Sequence, residues 1–186
     1  MTKIATGSIQ RIVYARLEPQ ADLLRSLFEV IEKEDIRTGV VLDMTGALER
    51  ARLQHFQDVG DPGSKVSVVE IPGPMEASGS GVIGRCVGDG GVGNYRDGEP
   101  YVHCHLSVNS AVHTFMGHLM EGTIIRSPHP VSHFTVVLAE VSGVELQMVS
   151  GGPGDENGGR GTWTRQDGYV YHELRQLDPT QNGDNE

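Results

Sequence analysis

"RLEPQADLLRSLFEVIEKEDIRTGVVLDM" occupies residues 16–44, and the spacing of its apolar residues changes partway along. Leu23, Leu24, Leu27, Phe28 and Ile31 recur at three- and four-residue intervals, the period of one helix face packed on a core. Pro19 suits a first helical turn, because it lacks an N–H that a helix start leaves unbonded anyway. After Ile36 the pattern becomes a short β-branched run, "TGVVLDM", which predicts a strand. Upstream, "IQRIVYARLEP" (9–19) alternates and predicts another. One amphipathic helix is therefore set among strands.

Outward from this segment the chain reads almost entirely as strand. "TG" at Thr45–Gly46 predicts a turn, followed by "ALERARLQHF" (47–56). There Leu48, Arg50 and Arg52 alternate against Ala51 and Leu53, which predicts one wet face, with both arginines and His55 on solvated surface. "VSVVEI" (66–71) is a strand ending at "PGP". "MEASGSGVIGRCV" (75–87) is another, in which Gly79 and Gly81 allow a bulge or a close backbone approach. "YVHCHLSVN" (101–109), part of "AVHTFMGHLMEGTII" (111–125) and "VSHFTVVLAEV" (131–141) complete about seven or eight strands around one firm helix. That tally predicts an α+β fold on a largely antiparallel β-sheet.

The glycine-rich "GDGGVGNYRDGEP" (88–100) lacks the Lys-Ser/Thr ending and following helix of a phosphate cradle, so it reads as a hairpin connection. "SGGPGDENGGRG" (150–161) reads as a flexible linker. It divides residues 1–150, one domain, from a C-terminal extension, 151–186. There "TWTRQDGYVYHELRQL" is expected to form a surface hairpin or helix, and "DPTQNGDNE" a disordered tail.

The 186 residues carry 15 Lys and Arg against 25 Asp and Glu, a formal charge of −10. Nucleic-acid binding draws most of its affinity from basic groups on phosphates, so this field disfavours a polyanionic partner. No run approaches the ~18 apolar residues of a membrane span. "MTKIATGSIQ" lacks the apolar stretch of a secretory signal, so a cytoplasmic location is expected. Cys86 and Cys104 are too few for a disulfide framework and read as small buried hydrophobes.

Residues 101–119 hold four of the eight histidines. On a strand His103 and His105 point to one face and Cys104 to the other, with the two imidazole Cα atoms roughly 6.5 Å apart. A hairpin around "SVNSA" would bring His118 beside them. Three neutral imidazoles with a fourth position open have the composition of a catalytic zinc site, though the same residues also serve as plain polar groups on strands. His113 has the opposite parity to His118. His129 and His133 flank a proline turn, and His172 has no assignment.

"EPYVHCHLSV" (99–108) followed by "FMGHLMEG" (115–122) resembles the plant and prokaryote conserved domain (PPC, DUF296), whose members carry an H-x-H strand and a G-G-H-L segment. Residues 16–48, "GPMEASGSG" (73–81) and "FTVVLAEV" (134–141) follow in the same order. The resemblance spans roughly residues 8–148. It implies an α+β fold assembled as a homotrimer, and a fold similar to that of acetolactate decarboxylase, whose zinc is held by three histidines in a comparable layout. On that footing His103, His105 and His118 bind Zn²⁺ or another divalent first-row metal. The chain would then be a metal-dependent lyase or hydrolase acting on a small carbonyl- or carboxylate-containing substrate. Glu76 and Glu121 are its acid/base candidates, and Arg126 could pair an anionic substrate.

Two departures stand out. Met116 replaces the first glycine of G-G-H-L, and the stretch after about residue 150 has no counterpart in the short domain. The resemblance also carries a DNA-binding association from plant members with AT-hooks. This chain has no R-G-R-P core, "GGRGTW" (158–163) being its nearest approach. A DNA-associated regulatory protein and a non-catalytic oligomeric ligand-binding module remain the alternatives.

Overall fold

The computed structural model describes residues 2–56, 66–88, 96–127, 133–151 and 169–177. In chain order they form β1 (Ser8–Arg16), α1 (Leu23–Lys33), β2 (Gly39–Phe56), β3 (Val66–Val87) and β4 (Pro100–Asn109). There follow β5 (Thr114–Leu119), β6 (Ile124–Ile125), β7 (Phe134–Ser142), β8 (Val144–Gly151) and β9 (Tyr169–Gln176). The nine strands make one mixed sheet, ordered β1-β7-β2-β5-β4-β3-β8-β9, with β6 on β2. The β3–β8 pairing is parallel, and the other pairings among the described residues are antiparallel. Because β2 also pairs β3, the strands β2, β5, β4 and β3 close into a circuit. Among the described residues the architecture is α+β, mostly antiparallel sheet with a single short helix.

Two strands run longer than the sequence pattern suggests. β2 passes through Thr45–Gly46 without turning, and Gly46 pairs Ala77 on one side and Phe134 on the other. A Cβ on Gly46 would lie 2.2 Å from the His133 carbonyl oxygen and 2.6 Å from Phe134 Cα. The glycine serves close backbone approach inside a strand rather than a turn. β3 likewise continues through "PGP". The β2–β3 ladder shifts register there, so that Leu48 faces Met75 while Arg50 faces Pro72. The irregularity also resets the side-chain alternation. Leu48 is therefore fully buried together with Ala51 and Leu53, while Arg50 and Arg52 stay in solvent. The alternation read from sequence, which grouped Leu48 with the arginines, is corrected by this one shift.

Helix α1 begins at Leu23, and Pro19 sits in the turn before it. Asp22 caps it, its Oδ1 accepting from the Arg25 N–H at 3.0 Å, which satisfies one of the unbonded donors of the first turn. Asp22 Oδ2 accepts from the Gly122 N–H at 2.5 Å, and the Leu23 N–H donates to the Thr123 carbonyl at 2.8 Å. The buried Thr123 hydroxyl accepts from the Arg52 N–H at 2.9 Å. Helix start, post-β5 loop and β2 are thereby stapled into one unit, which fixes the strand that carries His118.

Leu23, Leu27 and Ile31 are fully buried in a core with Met44, Ile83 and Leu106, and Leu24 and Phe28 pack partly buried against it. A smaller cluster, Cys86, Tyr101 and Met148, lies where β8 meets β3.

Val144–Gly151 is a strand that the sequence reading does not assign, and Tyr169–Gln176 pairs it from Val144↔Gln176 to Gly151↔Tyr169. Part of the segment expected as a separate extension thus forms a strand of the same sheet: β8 closes the 1–150 stretch, and β9, from the 151–186 stretch, pairs it. The linker beyond Gly151, the tail, residues 57–65, 89–95 and His129 lie outside the described residues. Among the described residues no helix is long and apolar enough to cross a membrane.

Candidate metal centre

Alternation along β4 sends Val102, Cys104, Leu106 and Val108 into the core and His103, His105 and Ser107 to the outer face. Burial pushes the Cys104 thiol up to about 12 and Cys86 up to about 11, so both stay protonated and neither acts as a thiolate ligand. β5 runs antiparallel to β4, and His105 stands directly opposite His118. On its other side His118 faces Gln54 of β2. Gly117 permits that approach, because a Cβ there would lie 2.8 Å from the Gln54 carbonyl oxygen. Met116, the departure from G-G-H-L, is 67 % exposed, so it leaves the contact with β2 untouched.

The three imidazoles expected from sequence meet. One nitrogen from each of His103, His105 and His118 falls within 4.8 Å of the other two. The His103 and His105 rings stack at 5.2 Å and 10°, with their Nε2 atoms 3.2 Å apart. His118 stands edge-on to both, with ring centroids 4.8 Å and 5.6 Å away. A tetrahedral ion with bonds of ~2.0–2.1 Å needs ligand nitrogens roughly 3.3–3.4 Å apart. The His103–His105 edge already has that length.

Electrostatics favour the ligand state. Burial, followed by the neighbouring His103 and His105, lowers the His118 imidazole to about 4. His103 is lowered as well, first by burial and then by His172 and His105. These two rings are therefore neutral at pH 7, as metal coordination requires. A set of imidazole nitrogens, half-buried at His103 and His118 and open to solvent at His105, fits a divalent ion of the zinc type.

The proposed acid/base groups lie elsewhere. Glu76 pairs Asn109, whereas His105 pairs Ser80, four residues further along β3. At the strand rise that is roughly 13 Å. Glu76 instead lines a cleft of about 480 Å³ with Asn109, Ser110 and Arg126, so two of the sequence candidates share a site that is not the histidine cluster. Glu121, in the loop after β5, accepts from Arg25 Nε at 2.8 Å and forms an exposed ion pair with the helix. His113 is exposed and packs edge-on to Phe115, and His55 and His133 are also exposed.

His172 is the residue that sequence reasoning leaves out. β9 places it opposite Met148, and its Nε2 lies 3.0 Å from the Tyr101 hydroxyl. Its ring centroid is 5.2 Å from that of His103. No local motif marks it: only the β8–β9 pairing, across a linker, brings it there.

Residues 4–132 match the model of the Plants and Prokaryotes Conserved (PCC) domain family. Among solved structures, a metal-containing protein of Archaeoglobus fulgidus is 18% identical with a TM-score of 0.65, the match covering 95% of this chain and 100% of that one. A plant- and prokaryote-conserved protein of Pyrococcus horikoshii is 22% identical with a TM-score of 0.63, covering 94% and 99%. A candidate DNA-binding protein of Bacteroides thetaiotaomicron is 14% identical with a TM-score of 0.57, covering 90% and 96%. At these identities the likeness is one of fold. No curated protein matches the sequence.

Proposed function

The chain belongs to the Plants and Prokaryotes Conserved domain family, and from that premise we propose that it is a metal-binding protein whose His103, His105 and His118 hold one divalent ion, zinc by preference. The observation that carries this reading is the convergence of three imidazole nitrogens within 4.8 Å on one sheet face. A structural neighbour described as metal-containing supports it. Three protein donors leave a tetrahedral ion one position short, the arrangement of catalytic sites. When bound, the ion would supply Lewis-acid polarisation of a carbonyl or carboxylate oxygen, in a lyase or hydrolase type of reaction on a small substrate. The chain's own part is to hold the His103 and His118 rings neutral, to brace His118 from β2 and to keep the His105 side open to solvent. A homotrimer in the cytoplasm completes the proposal, and light scattering on the purified protein tests the assembly.

Elemental analysis of protein dialysed against zinc tests the centre. The wild type should retain one equivalent per chain, and His105→Ala should retain well under half. Equal content in the two would remove the site.

DNA association is the second reading, favoured by neighbours described as candidate DNA-binding proteins. The charge of −10 argues against it. A DNA binder would show retention on a duplex that falls steeply with salt; none is expected at 150 mM.

A further inference from the structure

Tyr101 lies on β4 two residues before His103, on the same face of the strand. Its hydroxyl is 3.0 Å from His103 Nδ1 and 3.0 Å from His172 Nε2. The phenol ring is buried beside Cys86 and Met148 and meets the His172 ring edge-on at 5.3 Å and 72°. The hydroxyl therefore sits at a fixed point between two imidazoles.

Each end of this chain constrains the other. A hydroxyl has one hydrogen to donate, and a neutral imidazole donates from one nitrogen and accepts at the other. A phenolic oxygen also accepts at two lone pairs, so His103 Nδ1–H and His172 Nε2–H can both donate to it, and two further arrangements use the Tyr101 hydrogen within the chain. In one, His103 Nδ1–H donates to the Tyr101 oxygen, whose hydrogen goes to His172 Nε2. In the other, His172 Nε2–H donates to Tyr101, which donates to His103 Nδ1; His103 must then carry its hydrogen on Nε2. The 3.2 Å contact between His103 Nε2 and His105 Nε2 is satisfied by each of these arrangements. An ion held by Nε2 of His103 is not, because that nitrogen must present its lone pair. Ligation excludes the arrangement in which Tyr101 donates to His103 and leaves His103 Nδ1–H donating to the Tyr101 oxygen.

We propose that Tyr101 and His172 are positioning residues for the metal centre, a hydrogen-bonded tether that fixes the ring orientation and the Nδ1–H tautomer of His103. The inference rests on the reading of His103, His105 and His118 as metal ligands. Its consequence reaches beyond the triad. β9 lies past residue 132, where the family match ends, yet it supplies the far end of the tether. Metal-ligating histidines commonly donate their second nitrogen to such a partner, and loss of the partner typically weakens metal binding 10–100-fold. Here the partner is itself oriented by a residue from a different strand.

The test uses the full-length protein and zinc, with affinity measured by competition against a chromophoric chelator. Tyr101→Phe keeps the buried ring and removes only the hydroxyl; it should bind zinc 10–100-fold more weakly. His172→Phe should weaken binding in the same direction by less. The double variant should be no weaker than Tyr101→Phe, because loss of the hydroxyl already disconnects His172. The second readout needs no metal. ¹⁵N-histidine spectra at pH 8 of zinc-loaded and metal-free wild type should show His103 protonated at Nδ1 in the loaded form. They should also show His103 changing its tautomer distribution between metal-free wild type and metal-free Tyr101→Phe. Wild-type zinc affinity in Tyr101→Phe, with the same His103 tautomers in both proteins, would overturn the tether. Absence of zinc binding in the wild type, or its persistence in His105→Ala, would instead overturn the metal centre on which it rests.

Discussion

The triad makes a quantitative prediction for thermal stability. An ion that binds only the folded chain stabilises it by RT ln(1 + [L]/Kd), about 2.7 kcal/mol at free zinc 100-fold above Kd. For a chain of this size each kcal/mol moves the melting temperature by roughly 2–4 °C, so zinc at that level should raise Tm by about 5–10 °C. His118→Ala removes the ring that stands edge-on to the other two but leaves the His103–His105 pair, whose nitrogens are 3.2 Å apart. Losing a ligand weakens binding at least as much as losing a second-layer partner, so a 100-fold loss is a lower figure. At the same free zinc the ratio [L]/Kd then falls to about 1 or less, and the stabilisation to at most about 0.4 kcal/mol. The variant should therefore show a zinc-dependent rise of at most about 1–2 °C. The assay is a melting curve by circular dichroism on chelator-stripped protein, in zinc buffered at fixed free concentrations. The reasoning is refuted if stripped wild type melts at the same temperature with and without zinc, or if His118→Ala rises as far as the wild type.

Other outcomes follow from the packing and the charges. Leu27→Ala, at a fully buried position under α1, should cost about 2–5 kcal/mol in a urea titration. Gly46→Val should destabilise by about 1–3 kcal/mol or more, since even a Cβ there meets the His133 carbonyl at 2.2 Å. In metal-free protein the lowered His118 means that the unfolded chain binds more protons than the native one between about pH 6.5 and 4. Stability should thus be level above pH 6.5 and fall as the pH drops through that window, as read by melting temperature against pH. Glu121→Gln breaks only an exposed pair with Arg25 and should leave zinc affinity unchanged by the same chelator competition.

How far the sequence carried the structure depends on the range of the interactions concerned. The helix was legible because its period is local and Asp22, Leu23, Leu27 and Ile31 lie within three turns of one another. Its start lies a few residues later than Pro19 suggests, at the Asp22 cap, whose second carboxylate oxygen also accepts from the distant Gly122 N–H. The H-x-H pair was legible for the same local reason, and His118 because a short hairpin returns it opposite His105. Thr45–Gly46 and "PGP" were read as breaks because their residues signal turns locally. Across the sheet, however, Gly46 makes room for Phe134, and the β2–β3 ladder absorbs the prolines with a register shift. His172 was beyond local reading altogether, since its place depends on two strands and a linker.

The geometry also narrows the chemistry. A small substrate bound at the histidine face cannot also touch Glu76, roughly 13 Å along the sheet, and Glu121 is committed to Arg25. Within one chain, then, the pair of glutamates and a short substrate at the triad exclude each other as parts of a single reaction site. Among the described residues, the groups that adjoin the triad include Ser80 opposite His105, Gln54 opposite His118, and the Tyr101–His172 tether behind His103. These are neutral hydrogen-bonding groups, suited to orienting a ligand oxygen beside an ion and to holding a ring in place. The Glu76–Arg126 cleft carries both signs of charge and its own volume, so any ligand it takes is recognised on separate terms. Among the described residues the cluster that could hold an ion contains no carboxylate, so the neutral groups beside it are suited to polarising a bound oxygen rather than to removing a proton.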